Sequence, residues 1–330
     1  MAAMIVLVSW GVTRISETQA HRPRAPLIVG MNDPQWTSNG YEQVSWGEGL
    51  NRFYRQTHLP WIAIDVVFAQ TAPHSLIIHP VISLKAVNTA INEAEHLGLQ
   101  VLIRPLIVLP HHVPEQTISF ATTTASMRWF SHYWAVYSPF VRLGYQDHVG
   151  AISLGTELSG LQTGRSSQWN HLIDEAYTMA PKTVLLVSVN WSDLQYVSWM
   201  HNPHLAAIGV DAYFPLAHST GNKDVEQIIH QWIVPKGPIS ALHKLHQVVG
   251  KPLWITEVGY PNRVNALVHP WKVSGPLNPD GALQANAYAA ALAVALRHHY
   301  IQALFFYALG NGSYNPGNGA EEVLRQFEEH

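Results

Sequence analysis

The sequence predicts an α/β protein built as a (β/α)8 (TIM) barrel. Eight short runs of apolar and β-branched residues recur at a mean spacing of about 39 residues, which is room for one strand, one helix and two loops. Helix-patterned stretches fill the intervals. The chain of 330 residues, 47% of them apolar, is long enough to bury a core of that size.

Residues 1–25 precede the first run and are expected to be a leader. Met4–Val12 (MIVLVSWGV), followed by a polar stretch to His21, resembles the core and cleavage region of an export signal, yet no Lys or Arg stands before it. A secreted protein with a signal segment and a cytoplasmic one with a plain N-terminal extension both stay open. Nine apolar residues cannot cross a ~30 Å hydrocarbon layer, and no other run reaches ~18, so no membrane span is expected.

The predicted strands are Leu27–Asn32, Trp61–Gln70, Gln100–Leu109, Gly150–Leu158, Thr183–Trp191, Ala206–Leu216, Lys251–Tyr260 and Ile301–Gly310. Between them, Ser83–Gly98 places Leu84, Val87, Ile91, Ala94 and Leu97 on one helical face and stops at a glycine. Asp280–Tyr300 opens on a capping Asp and ends in Arg297, His298 and His299, cations at the negative end of the helix dipole. Ala320–Glu328 reads as the closing helix. No linker interrupts the series, so residues 26–330 are expected to form the barrel. A doubly wound dinucleotide fold would need a glycine-rich turn after the first strand, where this chain has Asn32-Asp33-Pro34-Gln35-Trp36.

Composition narrows the chemistry. Nineteen Lys and Arg against 22 Asp and Glu give a net charge of −3, too near neutrality for a nucleic-acid partner. The absence of Cys excludes thiol catalysis, disulfides and Cys-ligated metals. The 20 His suit mildly acidic surroundings. They do not suggest a metal site: no His-x-His closes the first strand, and adjacent side chains in His111-His112 and His298-His299 diverge. No metal or cofactor is expected, and no Gly-x-Ser-x-Gly elbow suggests a serine hydrolase.

In such barrels the reactive groups lie at the carboxyl ends of the strands. Acids found there are Asp33, Glu157, Asp211 and Glu257, with Asp65 deeper in its strand. Glu157 and Glu257 stand out because each ends a run of apolar or small residues at strands four and seven, facing each other across the rim. Strict alternation puts Ser153, Gly155 and Glu157 on one face, and Leu253, Ile255 and Glu257 on one face of strand seven, sending Trp254 into the helix layer. Two opposed carboxyls suit glycosidic cleavage, one donating a proton to the leaving oxygen and one attacking or stabilising the anomeric carbon. On spacing alone, a purely structural pair is equally open.

Ile152-Ser-Leu-Gly-Thr-Glu-Leu158, Trp254-Ile-Thr-Glu-Val-Gly-Tyr-Pro261, the Trp61–Gln70 run and the segment Glu93–Pro105 together resemble the family 113 glycoside hydrolases. That resemblance implies a retaining glycosidase of the β-mannanase type, acting on a β-1,4-linked polysaccharide or oligosaccharide. It makes Glu157 the general acid/base and Glu257 the nucleophile, with Glu157 raised in pKa by the approaching sugar and Glu257 held ionised by donors. Three features depart from the wider clan: Thr156 replaces an Asn before the acid/base, Phe305-Phe306-Tyr307 replaces a Trp closing strand eight, and the loop His111–Gln116 after strand three lacks an aromatic for a sugar face.

The remaining candidates for substrate contact follow from position. Tyr213 is either a donor to Glu257 or a rim ring packed on a loop. Arg104 either grips a carboxylate with both guanidinium arms or pairs with Asp65. Asn190 and Trp191 close strand five, suited to hydroxyl readout and sugar stacking, although Trp191 equally suits core packing. Trp36, Gln70 and Tyr307 complete the set. A barrel that binds glycan without cleaving it is the rival from another class, and so is a hydrolase of another β-glycan.

Overall fold

The computed structural model describes residues 26–221, 223–272 and 278–329. The expected leader, residues 1–25, lies outside them. Eight parallel strands close on themselves: β1 (Ile28–Asp33), β2 (Trp61–Gln70), β3 (Gln100–Val108), β4 (Ala151–Thr156), β5 (Val184–Asn190), β6 (Ile208–Asp211), β7 (Leu253–Gly259) and β8 (Ile301–Tyr307). β1 pairs with both β2 and β8, so the sheet has no open edge there. A short antiparallel strand, Ile78–Pro80, extends the end of β2. It lies in a loop that hydropathy did not mark.

The helices are α1 (Val44–Thr57), α2 (Leu84–His96), α3 (Thr123–Gln146), α4 (Ser159–Gln162), α5 (Ser166–Met179), α6 (Val225–Ile233), α7 (Pro238–Val249), α8 (Gly281–Arg297) and α9 (Asn318–Glu328). Ser83 caps α2 by accepting from Ala86 N at 3.0 Å, and Asp280 caps α8 by accepting from Leu283 N at 2.9 Å. On α2, Val87, Ile91 and Ala94 are buried as expected, whereas Leu84 in the first turn faces solvent. The crossover from β5 to β6 carries only a 3-10 turn, Ser198–His201, instead of the expected helix. Trp199 in that turn fills the gap by stacking on Trp169 of α5, ring centroids 5.1 Å apart.

The strands sort their side chains into two layers. Outward residues meet the helices. Inward, Ala63, Leu102, Ala151, Leu186, Ala207, Trp254, Ala303 and Phe305 form an apolar plug with Trp61 against it. Trp254 therefore points into the barrel, not into the helix layer. The small residues facing it make room: a β-carbon on Gly30 would stand 2.5 Å from Phe305, and one on Gly150 would stand 2.2 Å from Trp61. Full burial of a ring such as Phe305 stabilises the plug by about 1.5–3 kcal/mol.

Strict alternation fails because both strands that lead to the glutamates are irregular. The register shifts between Ser153 and Thr156 on β4 and between Ile255 and Val258 on β7. On β7, Trp254 faces the plug, Ile255 and Val258 face the helices, and Thr256 and Glu257 both turn to the interior. On β4, a β-carbon at Gly155 would meet Trp169 of α5 at 2.7 Å, so Gly155 faces outward beside Leu154 while Thr156 faces the cleft. The extra residue in each strand aims its last polar side chain over the plug.

Candidate active site

Above the plug, the carboxyl ends of the strands open into a cleft of about 1090 Å³. That exceeds the ~300–1,000 Å³ usual for one small ligand. Glu157 and Glu257 both line it, with Asn190, Tyr213, Tyr307 and the rings of Trp36, Trp191, Trp271 and Tyr314.

Glu257 is held from below. Its Oε1 accepts a hydrogen bond from Arg104 Nη2, and its Oε2 accepts one from Tyr213 Oη at 2.5 Å. Arg104 is fully buried on β3, where it also donates to Asn32 Oδ1 and stands 3.6 Å from Asp65 and from Asp211. Asn32 is fixed in turn, donating to the carbonyls of Thr256 at 3.0 Å and Phe306 at 3.2 Å, so β1 ties together β7 and β8. One guanidinium thus serves three carboxyl groups, and it cannot neutralise them all. Burial pushes Asp65 up to about 7 against the pull of Arg104, and burial together with the charge of Glu257 raises Asp211 well above the carboxylate range. Tyr213 is raised too, by burial and by Glu257, and stays a neutral donor. Its ring fits because β7 ends in glycine: a β-carbon on Gly259 would lie 2.6 Å from Tyr213 Cε1.

Glu157 is held from the side. It follows β4 with a left-handed backbone (φ 53°), a conformation costing a residue with a β-carbon about 1–2 kcal/mol. Its amide donates to Ser188 O of β5 at 3.1 Å, which keeps it on the barrel. Asn190 Nδ2 donates to Oε1 at 2.6 Å and Gln116 Nε2 to Oε2 at 2.7 Å. Asn190 is oriented by Ser192, whose amide and hydroxyl donate to its Oδ1 at 2.8 Å and 2.6 Å. Burial raises the Glu157 carboxyl well above its usual range, reinforced by the neighbouring charges of Asp211, Glu115 and Glu257. The expected rise therefore comes from the protein itself, before any sugar approaches.

The other candidates divide. Trp36 after β1 and Trp191 after β5 stand on opposite sides of the mouth; Trp36 is 47% exposed and Trp191 packs at a tilt against Trp271, itself 46% exposed, with ring centroids 5.4 Å apart. Tyr307 lines the floor, packed edge-on against Tyr213 and Tyr314. Asn190 reaches the cleft, with its amide hydrogen-bonded to Glu157 and Ser192. Two candidates are corrected. Gln70 is 1% exposed and accepts from Trp129 Nε1 at 2.8 Å while donating to Ala72 O at 2.8 Å, so it fastens the β2 loop to α3 and does not line the cleft. Arg104 lies beneath Glu257 and does not reach the cleft surface, because its charge is held among buried carboxyls. Asp33, likewise, is taken up by Gln35 at 3.0 Å and Trp46 at 2.8 Å; burial still pushes it up to about 7.

Sequence reasoning missed Glu115 and Gln116, in the loop after β3. It also missed Arg263, Trp271 and Tyr314, which lie in the loops after β7 and β8. A His-Pro-Trp at 269–271 inside a βα loop was the available signal for the first of these loops.

Comparison with known proteins agrees with this geometry. No curated protein matches the chain. Among solved structures, a GH113 β-mannanase, AaManA from Alicyclobacillus acidocaldarius in complex with ManMIm, superposes with a TM-score of 0.79 at 18% identity, covering 92% of this chain and 98% of that one. A GH113 β-1,4-mannanase complex gives 0.76 at 16% identity over 92% and 99% of the two chains. A β-D-glucuronidase from Dictyoglomus thermophilum gives 0.61 at 12% identity, covering 93% of this chain and 51% of that one. The profile of Glycoside Hydrolase Family 113 matches residues 35–323. The chain belongs to that family and is a glycoside hydrolase.

Proposed function

We propose that the protein is a retaining, endo-acting β-1,4-mannanase in which Glu157 is the general acid/base and Glu257 the nucleophile. One observation carries the assignment: two carboxyls share a cleft in opposite settings. Glu257 accepts from a guanidinium and a phenol, as a carboxylate does. Glu157 sits among acids and burial that favour its protonated form.

In the first half-reaction Glu257 attacks the anomeric carbon while Glu157 passes its proton to the departing oxygen. In the second, Glu157 takes a proton from water as that water displaces Glu257 from the sugar. Tyr213 and Arg104 hold the attacking oxygens in place, which is the positional contribution rigid strands supply best. The open cleft with rings on both sides, Trp36 after β1 and Trp191 with Trp271 opposite, supports binding a chain on each side of the cut bond and hence internal cleavage. The family's mannanases support mannan as the substrate.

Incubation with mannans, glucans and xylans tests this, following released reducing ends and the first product's anomer by NMR. Release from mannan with initial β-product is expected. Release from another β-glycan alone moves the substrate; an initial α-product contradicts the mechanism.

A further inference from the structure

The loop after β3 is shaped to press two side chains against Glu157. Pro110 and Pro114 bracket His111 (φ 58°) and His112 (φ 55°), consecutive left-handed residues that turn the chain back toward the cleft. The loop then lies directly on the segment that follows Glu157: a β-carbon at Gly160 would stand 2.5 Å from Ile118 O and 2.9 Å from Gln116 O. Ser119 N donating to Pro73 O at 3.3 Å and Arg165 Nη2 donating to Phe120 O at 2.7 Å fasten its far end. This anchored loop delivers Gln116 to Glu157 at 2.7 Å and sets the preceding residue, Glu115, on the wall of the same cleft, close enough for its charge to act on Glu157. Two half-buried carboxyls this close disfavour a state in which both are ionised. The other charged and titratable groups lining the cleft are His111 and His112 on the same loop, Glu257 and Arg263 from β7 and the loop after it, and Tyr213, Tyr307 and Tyr314; Asp211 of β6 is fully buried. Asp211 and Glu257 add negative potential at Glu157, and burial raises Glu115 as well.

We propose that Glu115 and Glu157 hold one proton between them, and that Glu115 is a positioning residue that keeps this proton available for the departing glycosidic oxygen. The inference rests on Glu157 being the acid/base. When the Glu257 carboxylate bonds to the anomeric carbon, the electron pair of the broken C–O bond goes to the leaving oxygen, which takes the proton of the pair. The pair then carries two charges, making Glu157 a stronger base than it is alone. It recovers one proton from the water whose oxygen bonds to the anomeric carbon as the sugar–Glu257 ester breaks.

The test is the pH dependence of kcat/KM on a cleaved β-linked oligosaccharide, for the whole protein and its Glu115→Gln, Glu115→Asp and Glu157→Gln variants. In Glu115→Gln the basic limb moves to lower pH by about one unit, giving a several-fold loss at the wild-type midpoint. Glu115→Asp, which withdraws the carboxyl by one methylene, moves it in the same direction by less. Basic limbs that coincide with the wild type, or a raised KM with an unmoved limb, overturn the pairing. Turnover retained by Glu157→Gln would instead overturn the acid/base reading beneath it.

Discussion

Glu257 and Glu157 share one cleft but are held by different kinds of structure. Glu257 lies within a strand, over a fully buried guanidinium that three other strands help to fix. Glu157 lies one residue beyond a strand, in a left-handed turn, gripped by two amides and faced by acids. The contrast separates two tasks. An attacking oxygen benefits from rigid placement and a cation, whereas a group that must give up and regain a proton benefits from an environment that makes its charge uncomfortable.

The largest effects should come from removing each carboxyl in turn. Glu257→Ala is expected to lower kcat by about 10⁴-fold or more for every substrate. Added azide, small enough to occupy the vacated space, should restore turnover of an activated aryl glycoside and give an α-glycosyl azide. Glu157→Ala should lose about 10²–10⁴-fold on oligosaccharides, which need a proton on the leaving oxygen. On an aryl glycoside whose leaving group departs unaided, the first step should be largely spared, visible as a burst of released phenol. Equal losses for both variants on both substrates would erase the distinction.

A smaller effect sharpens the Glu257 side. Tyr213→Phe removes one hydrogen bond to a charged group, worth about 1.5–3 kcal/mol, and should lower kcat by roughly 10–100-fold with little change in fold. Gly259→Ala should reproduce that loss by displacing the Tyr213 ring, and should also lower thermal stability by about 1–3 kcal/mol through overpacking. Kinetics and thermal unfolding on the two variants separate lost chemistry from lost packing.

These details show where the sequence was legible. The eight strands could be read because each is an apolar, β-branched run set apart from the next by helix-patterned or loop sequence; Trp61–Gln70 was read to the residue. The two glutamates stood out because a charge at the end of an apolar run has few structural uses. Side-chain direction was less legible. Trp254 and Gly155 were assigned to the wrong faces because a register shift reverses alternation and leaves no local composition to mark it. Gln70 and Arg104 were placed at the substrate because a polar residue near a strand end looks alike whether it faces a sugar or a buried partner. Glu115 and Gln116 depend on how a proline-bracketed loop folds across the cleft, which pattern reading does not reach.

A further expected effect concerns stability. Asp65 is buried with a folded-state pKa raised to about 7, and neither of its oxygens accepts a hydrogen bond. A raised carboxyl favours the folded state fully below its unfolded pKa of ~3.9, and that contribution is lost as pH rises toward 7, on the order of 1 kcal/mol per pH unit. Asp65→Asn cannot ionise, so the fall in unfolding free energy between about pH 4 and 7 should be shallower than in the wild type. Denaturant titrations across that range measure it.

The division of labour between the two glutamates is tested most directly by trapping the sugar on the enzyme. A 2-deoxy-2-fluoro glycosyl fluoride of the cleaved sugar slows both half-reactions, and mass spectrometry of the digested protein then locates the label. The ester is predicted on the peptide carrying Glu257, absent from Glu257→Ala and still formed by Glu157→Ala. A label on Glu157, or on neither residue while the substrate is consumed, would contradict the assignment.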